Sequence, residues 1–263
     1  MRSSRVRTVA IANQKGGVGK TTTAVSLAAA LAERERRVLL IDLDPQGNAS
    51  TGVGAGIGSR ALGSDQVLSG EAGLQQAVIP TLLPFLDLLP ATVDLAAAEV
   101  EFSAVSRREH RLKEILGTLH HGTGTRYDFD LIDCPPALGW LTVNALVAAD
   151  SLLVPLQAEF LALEGLSHLL RTIDQVTRNL NPDLTIEGVL MTMVDRRNNL
   201  SSAVGDDVRA HLGNLVYKTE IPRNVKVSEA PSFGKPVTIY DPKCVGARAY
   251  FDLAAEFLER MPA

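Results

Sequence analysis

The chain has 263 residues, of which 46% are hydrophobic and 5% aromatic, and its formal net charge at pH 7 is −4. This length and apolar content are sufficient for a large aliphatic core, and the acidic balance argues against nucleic-acid binding through overall charge. The two cysteines, Cys134 and Cys244, show neither CxxC nor Cys/His spacing, which indicates neither a disulfide framework nor a thiolate metal site.

A glycine-rich loop between a strand and a helix is the first predicted feature of the chain. Residues 6–12 form a short β-branched apolar run, which predicts a buried strand. Residues 24–34 are rich in Ala, Leu and Glu at helical spacing, which predicts a helix. Between them lies NQKGGVGKTT, residues 13–22. This arrangement binds a phosphate chain, because glycines let the backbone N–H groups surround the anion.

Two side chains in this loop have the chemistry that ATP and Mg²⁺ require. Lys20 supplies a point charge for the β- and γ-phosphates, and the Thr21 hydroxyl can coordinate Mg²⁺. The residues expected to bind the nucleotide here are Lys15, Gly16, Gly17, Val18, Gly19, Lys20, Thr21 and Thr22.

The loop departs from the usual pattern G-x-x-x-x-G-K-[ST], because Gln14 stands at its first Gly. Lys15 and Lys20 bracket the glycines instead. This arrangement resembles the deviant Walker A motif of the ParA/MinD group of P-loop ATPases. The resemblance implies that Lys15 crosses a dimer interface and touches the nucleotide of the other subunit, so we include Lys15 and Lys20 among the catalytic residues.

The second predicted strand, residues 37–44, ends in Asp42 and Asp44. Ligands of open α/β sheets gather at the carboxyl ends of strands, so we expect both carboxylates near the phosphates, with Asp42 as a candidate metal ligand. Residues 45–48, PQGN, are predicted as a loop. In the ParA group the segment D-x-D-P-Q-G-N is a switch whose second Asp positions the attacking water. That resemblance assigns this catalytic role to Asp44.

The middle of the chain contains short predicted elements. Five glycines within residues 52–64 predict a permissive, mobile loop, and residues 94–102 and 107–119 are predicted as helices. The adjacent His120 and His121 have no acidic or thiol partner nearby in the sequence, so we expect them to be solvated.

Residues 129–136, FDLIDCPP, form an apolar strand that ends at Asp133. This is typical of the Walker B position, where the carboxylate holds Mg²⁺ directly or through water. The two prolines stop the strand and stiffen the loop near the γ-phosphate. Cys134 has no His close in the sequence, and we expect it to be a small buried residue rather than a nucleophile.

Strands and helices continue to alternate, with a helix predicted over residues 161–179 and a strand over 185–193. The prediction is an α/β fold with a doubly wound, mainly parallel sheet and helices on both faces, of the P-loop NTPase, deviant Walker A type. No linker, internal repeat or low-complexity tail interrupts the chain, so residues 1–263 are interpreted as a single P-loop ATPase domain. No apolar span of membrane length occurs, and a soluble, cytoplasmic protein is expected.

The C-terminal third has a local basic excess. Residues 196–248 contain nine Lys/Arg against five Asp/Glu. A helix capped by Ser201 or Ser202 is predicted to run to Leu212, and an amphipathic helix to cover residues 247–260.

The run IPRNVKVSEAPSFGKP, residues 221–236, resembles the Soj-like branch of the ParA partition ATPases. In that branch basic residues bind DNA without sequence preference once ATP has closed the dimer. Arg197 and Lys226 match the positions of these DNA-binding residues, and Arg223 is a further candidate. The resemblance also implies that the loop with Pro222 and Asn224 lies against the adenine. Lys226 stands where the branch often has Arg, so it supplies the charge without the planar fork.

The resemblance implies an ATP-dependent DNA-segregation ATPase that uses Mg²⁺, forms a homodimer with ATP and binds nonspecific double-stranded DNA. It also implies a ParB-like centromere-binding partner that stimulates hydrolysis, and a nucleoid-associated location.

Four alternative functions are compared with this interpretation. A MinD-like membrane-associated ATPase needs a basic C-terminal helix, but residues 251–263 contain Arg260 against Asp252, Glu256 and Glu259, which anionic lipid would repel. A nitrogenase-reductase-like protein needs two cluster cysteines, and Cys244 is far from such a position. A metabolic ligase stays open but requires a second small-molecule pocket. An operator-binding repressor is disfavoured, because the loop begins by residue 13 and leaves no room for a helix-turn-helix.

Overall fold

Seven strands form one sheet in the computed structural model, which describes residues 6–101, 107–121, 127–159, 162–195, 197 and 199–261. The strand order is β3-β4-β2-β5-β1-β6-β7. The strands are β1 (Arg7–Ile11), β2 (Val38–Asp42), β3 (Ile79–Pro80), β4 (Leu86–Leu89), β5 (Phe129–Asp133), β6 (Ser151–Gln157) and β7 (Thr185–Thr192). Every pairing is parallel except that of β3 with β4. This architecture confirms the predicted mainly parallel sheet.

Helices cover both faces of the sheet. They are α1 (Lys20–Ala32), α2 (Asn48–Gly52), α3 (Ser64–Ser69), α4 (Leu74–Ala77), α5 (Leu95–Glu101), α6 (Arg111–His121), α7 (Trp140–Ala148), α8 (Ala162–Asn179), α9 (Asn199–Leu212), α10 (Val225–Glu229), α11 (Val237–Tyr240) and α12 (Val245–Arg260). One apolar cluster packs α1 and α12 on one face through residues such as Leu27 and Phe257. The other packs α6, α7 and α8 on the opposite face, through Leu116, Leu146 and Leu169. The doubly wound arrangement is therefore confirmed.

Some element boundaries differ from the predicted ones. Helix α2 begins at Asn48, directly after the residues expected to be a loop, and α9 begins at Asn199, so neither Ser201 nor Ser202 caps it. The predicted ends at Phe102 and Leu161 lie outside the described residues.

After β7 and α9, residues 216–222 run parallel to β7 along its outer side. The Tyr217 N–H donates to the Val189 carbonyl at 2.9 Å, and the Ile221 N–H donates to the Met191 carbonyl at 2.9 Å. Gly188 permits this close approach, because a Cβ there would lie 2.5 Å from the Tyr217 ring. The path carries the segment that begins at Ile221 toward the phosphate loop.

The expectation that both histidines are solvated was wrong for His120. Its Nε2 lies 2.8 Å from Oδ2 of the buried Asp130, and the Thr8 hydroxyl donates to the same oxygen at 3.0 Å. Burial raises the pKa of Asp130, and His120 and Thr8 partly offset that rise. The pairing was missed because the fold, not local sequence, brings the end of α6 against β5. The His121 side chain lies outside the described part.

Candidate functional site

The phosphate loop follows β1, which lies between β5 and β6 in the sheet. Gly17 and Gly19 have φ values of 75° and 89°, a left-handed conformation that favours glycine over any residue with a Cβ. The Thr192 hydroxyl donates to the Val18 carbonyl at 2.8 Å, and the Asn13 amide donates to the Pro155 carbonyl at 2.7 Å. These bonds fix the loop to the carboxyl ends of β6 and β7, with backbone N–H groups available at the start of α1.

Lys20 is the first residue of α1, and its side chain lies inside the loop. Its ammonium donates to the Lys15 carbonyl at 3.1 Å. Burial lowers the pKa of Lys20, whereas the negative charges of Asp133 and Asp44 oppose that change. A partly desolvated ammonium enclosed by a backbone loop is a strong site for an anion.

Lys15 lies at the outer side of the loop and remains about half exposed. Its ammonium forms an ion pair with Glu159, which follows β6. The two lysines therefore have different environments, and only Lys20 is directed into the loop.

Asp42 and Asp44 end β2 beside the loop, but the protein uses them differently. One Asp42 oxygen accepts the Asp44 N–H at 3.1 Å, and the other accepts the Ser50 N–H at 2.8 Å and the Ser50 hydroxyl at 2.7 Å. Burial raises the pKa of Asp42 to about 6, and the Ser50 hydrogen bonds act against that rise. Both oxygens of Asp42 already accept protein donors, so its contacts favour anchoring of the Asp44 loop over the expected metal role.

Asp133 ends β5 and lies opposite Asp42 on one side and Ile11 on the other. Its side chain is fully buried, and neither carboxylate oxygen accepts a hydrogen bond of good geometry from the described residues, although the Thr21 hydroxyl lies close to it. Burial raises the pKa of Asp133 well above its usual value, Asp42 adds to the rise, and Thr21 and Lys20 act in the opposite direction.

These two oxygens beside Thr21 are the observation that fits a Mg²⁺ ion. Buried carboxylate oxygens normally have partners, and hard oxygen donors are the ligands that Mg²⁺ prefers. The described residues include no group of three or more His, Cys, Asp or Glu side chains able to hold a metal alone. Phosphate and water oxygens would have to complete the coordination.

A cavity of about 400 Å³ adjoins the loop. Gly19 and Thr22 line one side, and Pro222 and Asn224 line another. The sequence-predicted adenine residues therefore lie at a cavity that opens from the phosphate loop. The Asn224 side chain also accepts the Lys226 N–H at 3.0 Å and so begins α10.

Comparison with known proteins identifies the family. A protein-family profile described as "AAA domain" matches residues 6–186. The chain is 55% identical to the chromosome partitioning protein ParA of Caulobacter vibrioides, over 99% of this chain and 97% of that protein. It is 50% identical to the sporulation initiation inhibitor protein Soj of Bacillus subtilis, over 94% and 96% of the two chains.

The chain belongs to the ParA/Soj family of partitioning ATPases. It is therefore an ATPase with a P-loop fold.

Solved structures similar to this ParA/Soj-family chain include nucleotide complexes. One is described as cobyrinic acid a,c-diamide synthase from Mycobacterium smegmatis with bound ATP analog and magnesium. It has a TM-score of 0.83 and 41% identity, over 97% of this chain and 95% of that one. The cell division ATPase MinD of Pyrococcus furiosus has a TM-score of 0.80 and 25% identity, over 97% and 99%.

The three sequence-predicted DNA residues of this ParA/Soj-family chain all lie at the surface. Arg197 is 90% exposed and forms a two-pronged hydrogen bond with Asp195, at 3.0 Å for each nitrogen. Arg223 is exposed, and its N–H donates to the Val194 carbonyl at 3.1 Å, which brings it close to the Asp195 turn. Arg197 and Arg223 therefore share one surface.

Lys226 is held differently from the two arginines. Its ammonium lies 2.9 Å from Glu229 and 5.7 Å from the centre of the Tyr240 ring. The Tyr240 hydroxyl also donates to Glu229 at 3.1 Å. Glu229 therefore competes with any phosphate for this lysine.

Cys134 is fully buried, as expected for a small core residue. Burial raises the pKa of its thiol, and the charge of Asp133 adds to that rise, so the thiolate is disfavoured.

Ser50 and Glu159 both contact the site and were not singled out from the sequence. Ser50 binds Asp42 from α2, a short helix that carries no strong propensity signal. Glu159 pairs with Lys15 across a separation that no local pattern reveals. For Ser50, the sequence offers nothing beyond its place eight residues after Asp42.

Proposed function

We propose that this chain is a DNA-segregation ATPase, acting as one P-loop domain, in which ATP and Mg²⁺ drive homodimerisation and nonspecific DNA binding. The buried Asp133 carboxylate, which accepts no hydrogen bond of good geometry and lies next to Thr21 and Lys20, carries the proposal. The relatives named chromosome partitioning proteins support the cellular role. A ParB-like protein is the proposed partner that stimulates hydrolysis and so releases the DNA, in the cytoplasm at the nucleoid.

The nucleotide chemistry follows from the positions of four side chains. The loop N–H groups and the Lys20 ammonium hold the β- and γ-phosphates, and Thr21 and Asp133 provide oxygens for Mg²⁺. When bound, Mg²⁺ neutralises charge on the transferred phosphoryl group. Asp44 accepts a hydrogen bond from the attacking water and orients it, so that the new P–O bond forms as the bond to ADP breaks.

Homodimerisation is proposed through Lys15. Its ammonium is about half exposed and held by Glu159 within one chain. A phosphate of the other subunit's nucleotide can replace that carboxylate, which exchanges one ion pair for another. Dimer formation would then depend on the nucleotide that supplies the phosphate.

Retention of a random-sequence duplex by the Asp44→Ala protein tests the proposal, with ATP, ADP or no nucleotide across a salt series. We expect the duplex to be retained only when ATP is present. If a dimer contacts six phosphates through Arg197, Arg223 and Lys226, the logarithm of the affinity should fall with the logarithm of salt with a slope of about −5. Equal DNA binding with ATP, with ADP and without nucleotide would contradict the proposal. The absence of DNA binding under all three conditions would also contradict it.

Substitution of Glu229 by Gln should strengthen this DNA binding. Without the carboxylate, Lys226 is free to meet phosphate, and one repulsive charge is removed. Because surface ion pairs are weak, we expect affinity to rise only about twofold to fivefold, measured by fluorescence anisotropy with ATP.

Asp174→Asn is the matched control, since Asp174 pairs with Arg178 on α8 and its loss changes the net charge by the same amount. Equal effects of the two variants would show that overall charge, and not Lys226, is responsible.

The membrane alternative is disfavoured by the packing of α12. Leu253 and Phe257 on that helix are buried against the core that includes α1. Arg260, its basic residue in the last turn, pairs with Glu256 at 2.7 Å. The apolar face of α12, which would have to enter a lipid surface, is thus already packed against the protein core. In the part of the chain that the structure describes, no helix is long and apolar enough to cross a bilayer.

A metabolic ligase would need room for a second substrate beside the phosphates. The cavity between α1 and α2, lined by Thr21, Asn48 and Lys235 among others, has a volume of about 250 Å³. A corrin macrocycle is larger than this cavity, so the cavity does not support the activity in the description of the Mycobacterium smegmatis structure.

A further inference from the structure

Arg60 holds the backbone that follows Asp44. Its guanidinium donates to the Gly47 carbonyl at 3.1 Å, to the Thr51 hydroxyl at 2.7 Å and to the Ala91 carbonyl at 3.1 Å. Two further bonds reach the Ala55 carbonyl, at 3.0 and 2.8 Å. One planar side chain therefore joins the Asp44 loop, helix α2 and the segment after β4.

The Gly47 end of this network is the same turn that holds Asp44. The Gly47 N–H donates to the Asp44 carbonyl at 2.8 Å, and the Gln46 N–H donates to the Asp44 carboxylate at 3.0 Å. Gly47 has a φ of 62°, and a Cβ there would lie 2.1 Å from an Arg60 nitrogen. The turn is thus closed on one side by Asp44 and on the other by Arg60.

The Ala91 end of the network leads to Asp42. The Ala91 N–H donates to the Ser50 hydroxyl at 3.1 Å, and that hydroxyl donates to Asp42 at 2.7 Å. Arg60 and Ser50 therefore bind the carbonyl and the N–H of the same residue. A guanidinium placed among neutral carbonyls loses hydration, and it is stable there because its donors are paired. A lysine could not span the same acceptors.

We propose that Arg60 is a positioning residue for ATP hydrolysis, which fixes the turn so that the Asp44 carboxylate meets the attacking water. Arg60 lines neither cavity beside the phosphate loop, so it acts through the turn and not on the nucleotide. This role rests on the proposed function of Asp44.

The test is steady-state ATPase kinetics of Arg60→Ala and Arg60→Lys, with nucleotide affinity measured separately by fluorescence titration. We expect kcat of Arg60→Ala to fall about tenfold, because a small displacement of a positioned group is costly, while KM and the nucleotide Kd stay within about twofold. Arg60→Lys should be intermediate. Added guanidinium at millimolar concentration should partly restore kcat of Arg60→Ala.

Arg111→Ala is the control, because Arg111 also binds a backbone carbonyl, that of Leu68 at 3.1 Å, away from the nucleotide loop. It should keep the wild-type kcat. Arg60→Ala should cause no further loss in an Asp44→Ala background, and an additional tenfold loss there would overturn the proposal. Wild-type kcat in Arg60→Ala, or a rise in KM equal to the loss of kcat, would also overturn it. Failure of the wild-type protein to hydrolyse ATP would instead refute the proposed function.

Discussion

Replacing Asp133 by Asn is expected to lower Mg²⁺-dependent ATP turnover by about 10²–10³-fold and, at the same time, to stabilise the nucleotide-free protein. The loss follows from removing a charged oxygen ligand from a preorganised site. The gain follows because the wild-type carboxylate is fully buried, accepts no hydrogen bond of good geometry and lies near two other acidic residues, Asp42 and Asp44. A neutral amide of the same shape removes the cost of that buried charge.

Thermal unfolding in EDTA measures the stabilising part of this prediction. The raised pKa of Asp133 reflects the cost of burying its charge, and each kcal/mol shifts Tm by about 2–4 °C in a chain of this size, so we expect the Tm of Asp133→Asn to rise by a few degrees. Asp130→Asn is the matched control, because Asp130 is equally buried on β5 but is paired with Thr8 and His120. Asp130→Asn should lower Tm. If both variants lower Tm, Asp133 is a structural residue and the site is not preorganised for a metal.

Replacing Asp44 by Ala should lower kcat about 10²-fold and leave nucleotide binding unchanged within about twofold. Orientation of the attacking water is a transition-state contribution, so its loss appears in kcat and not in affinity. Single-turnover hydrolysis and a fluorescent-nucleotide titration separate the two quantities.

Asp44→Asn is the informative companion to this variant. Its amide oxygen can still accept the Gln46 N–H, as the carboxylate does at 3.0 Å, and so can keep the turn. If Asn restores the wild-type rate, the turn and not the charge is what matters. Turnover of Asp44→Ala at the wild-type rate would refute the assigned role.

The parts of this molecule that depend on local pattern could be predicted from the sequence. The strand, glycine loop and helix around Lys20 are encoded within about 30 consecutive residues, since apolar period and glycine position act locally. The second strand was predicted to end in the carboxylates Asp42 and Asp44, and the later apolar strand in Asp133, and parallel strands place such ends at one edge of a sheet. The register that puts Asp42 and Asp133 opposite each other follows from β5 lying between β1 and β2.

Contacts between distant segments were not accessible in this way. Helix α2 consists of Asn, Ala, Ser, Thr and Gly, which have mostly low helix propensity, and it is held by the bonds of Ser50 to Asp42. Folding brings together the ion pair of Lys15 with Glu159 and the hydrogen bond of Arg60 to Ala91. Neither contact joins residues that are close in the sequence. Side-chain partners of this kind determine the electrostatics of the site. The pattern of apolar residues along the sequence does not reveal which residues they are.

The two outermost strands of the sheet limit how copies of this protein can associate. At one border β3 is only two residues long and ends in Pro80, which has no N–H to offer a neighbour. At the other border residues 216–223 already bond to β7 and its following turn. Both borders are therefore blunted against β-sheet extension between molecules, a contact that is typically permanent and prone to aggregation. The homodimer proposed above uses neither border, because it forms at the phosphate loop through Lys15, where loss of one phosphate would undo it.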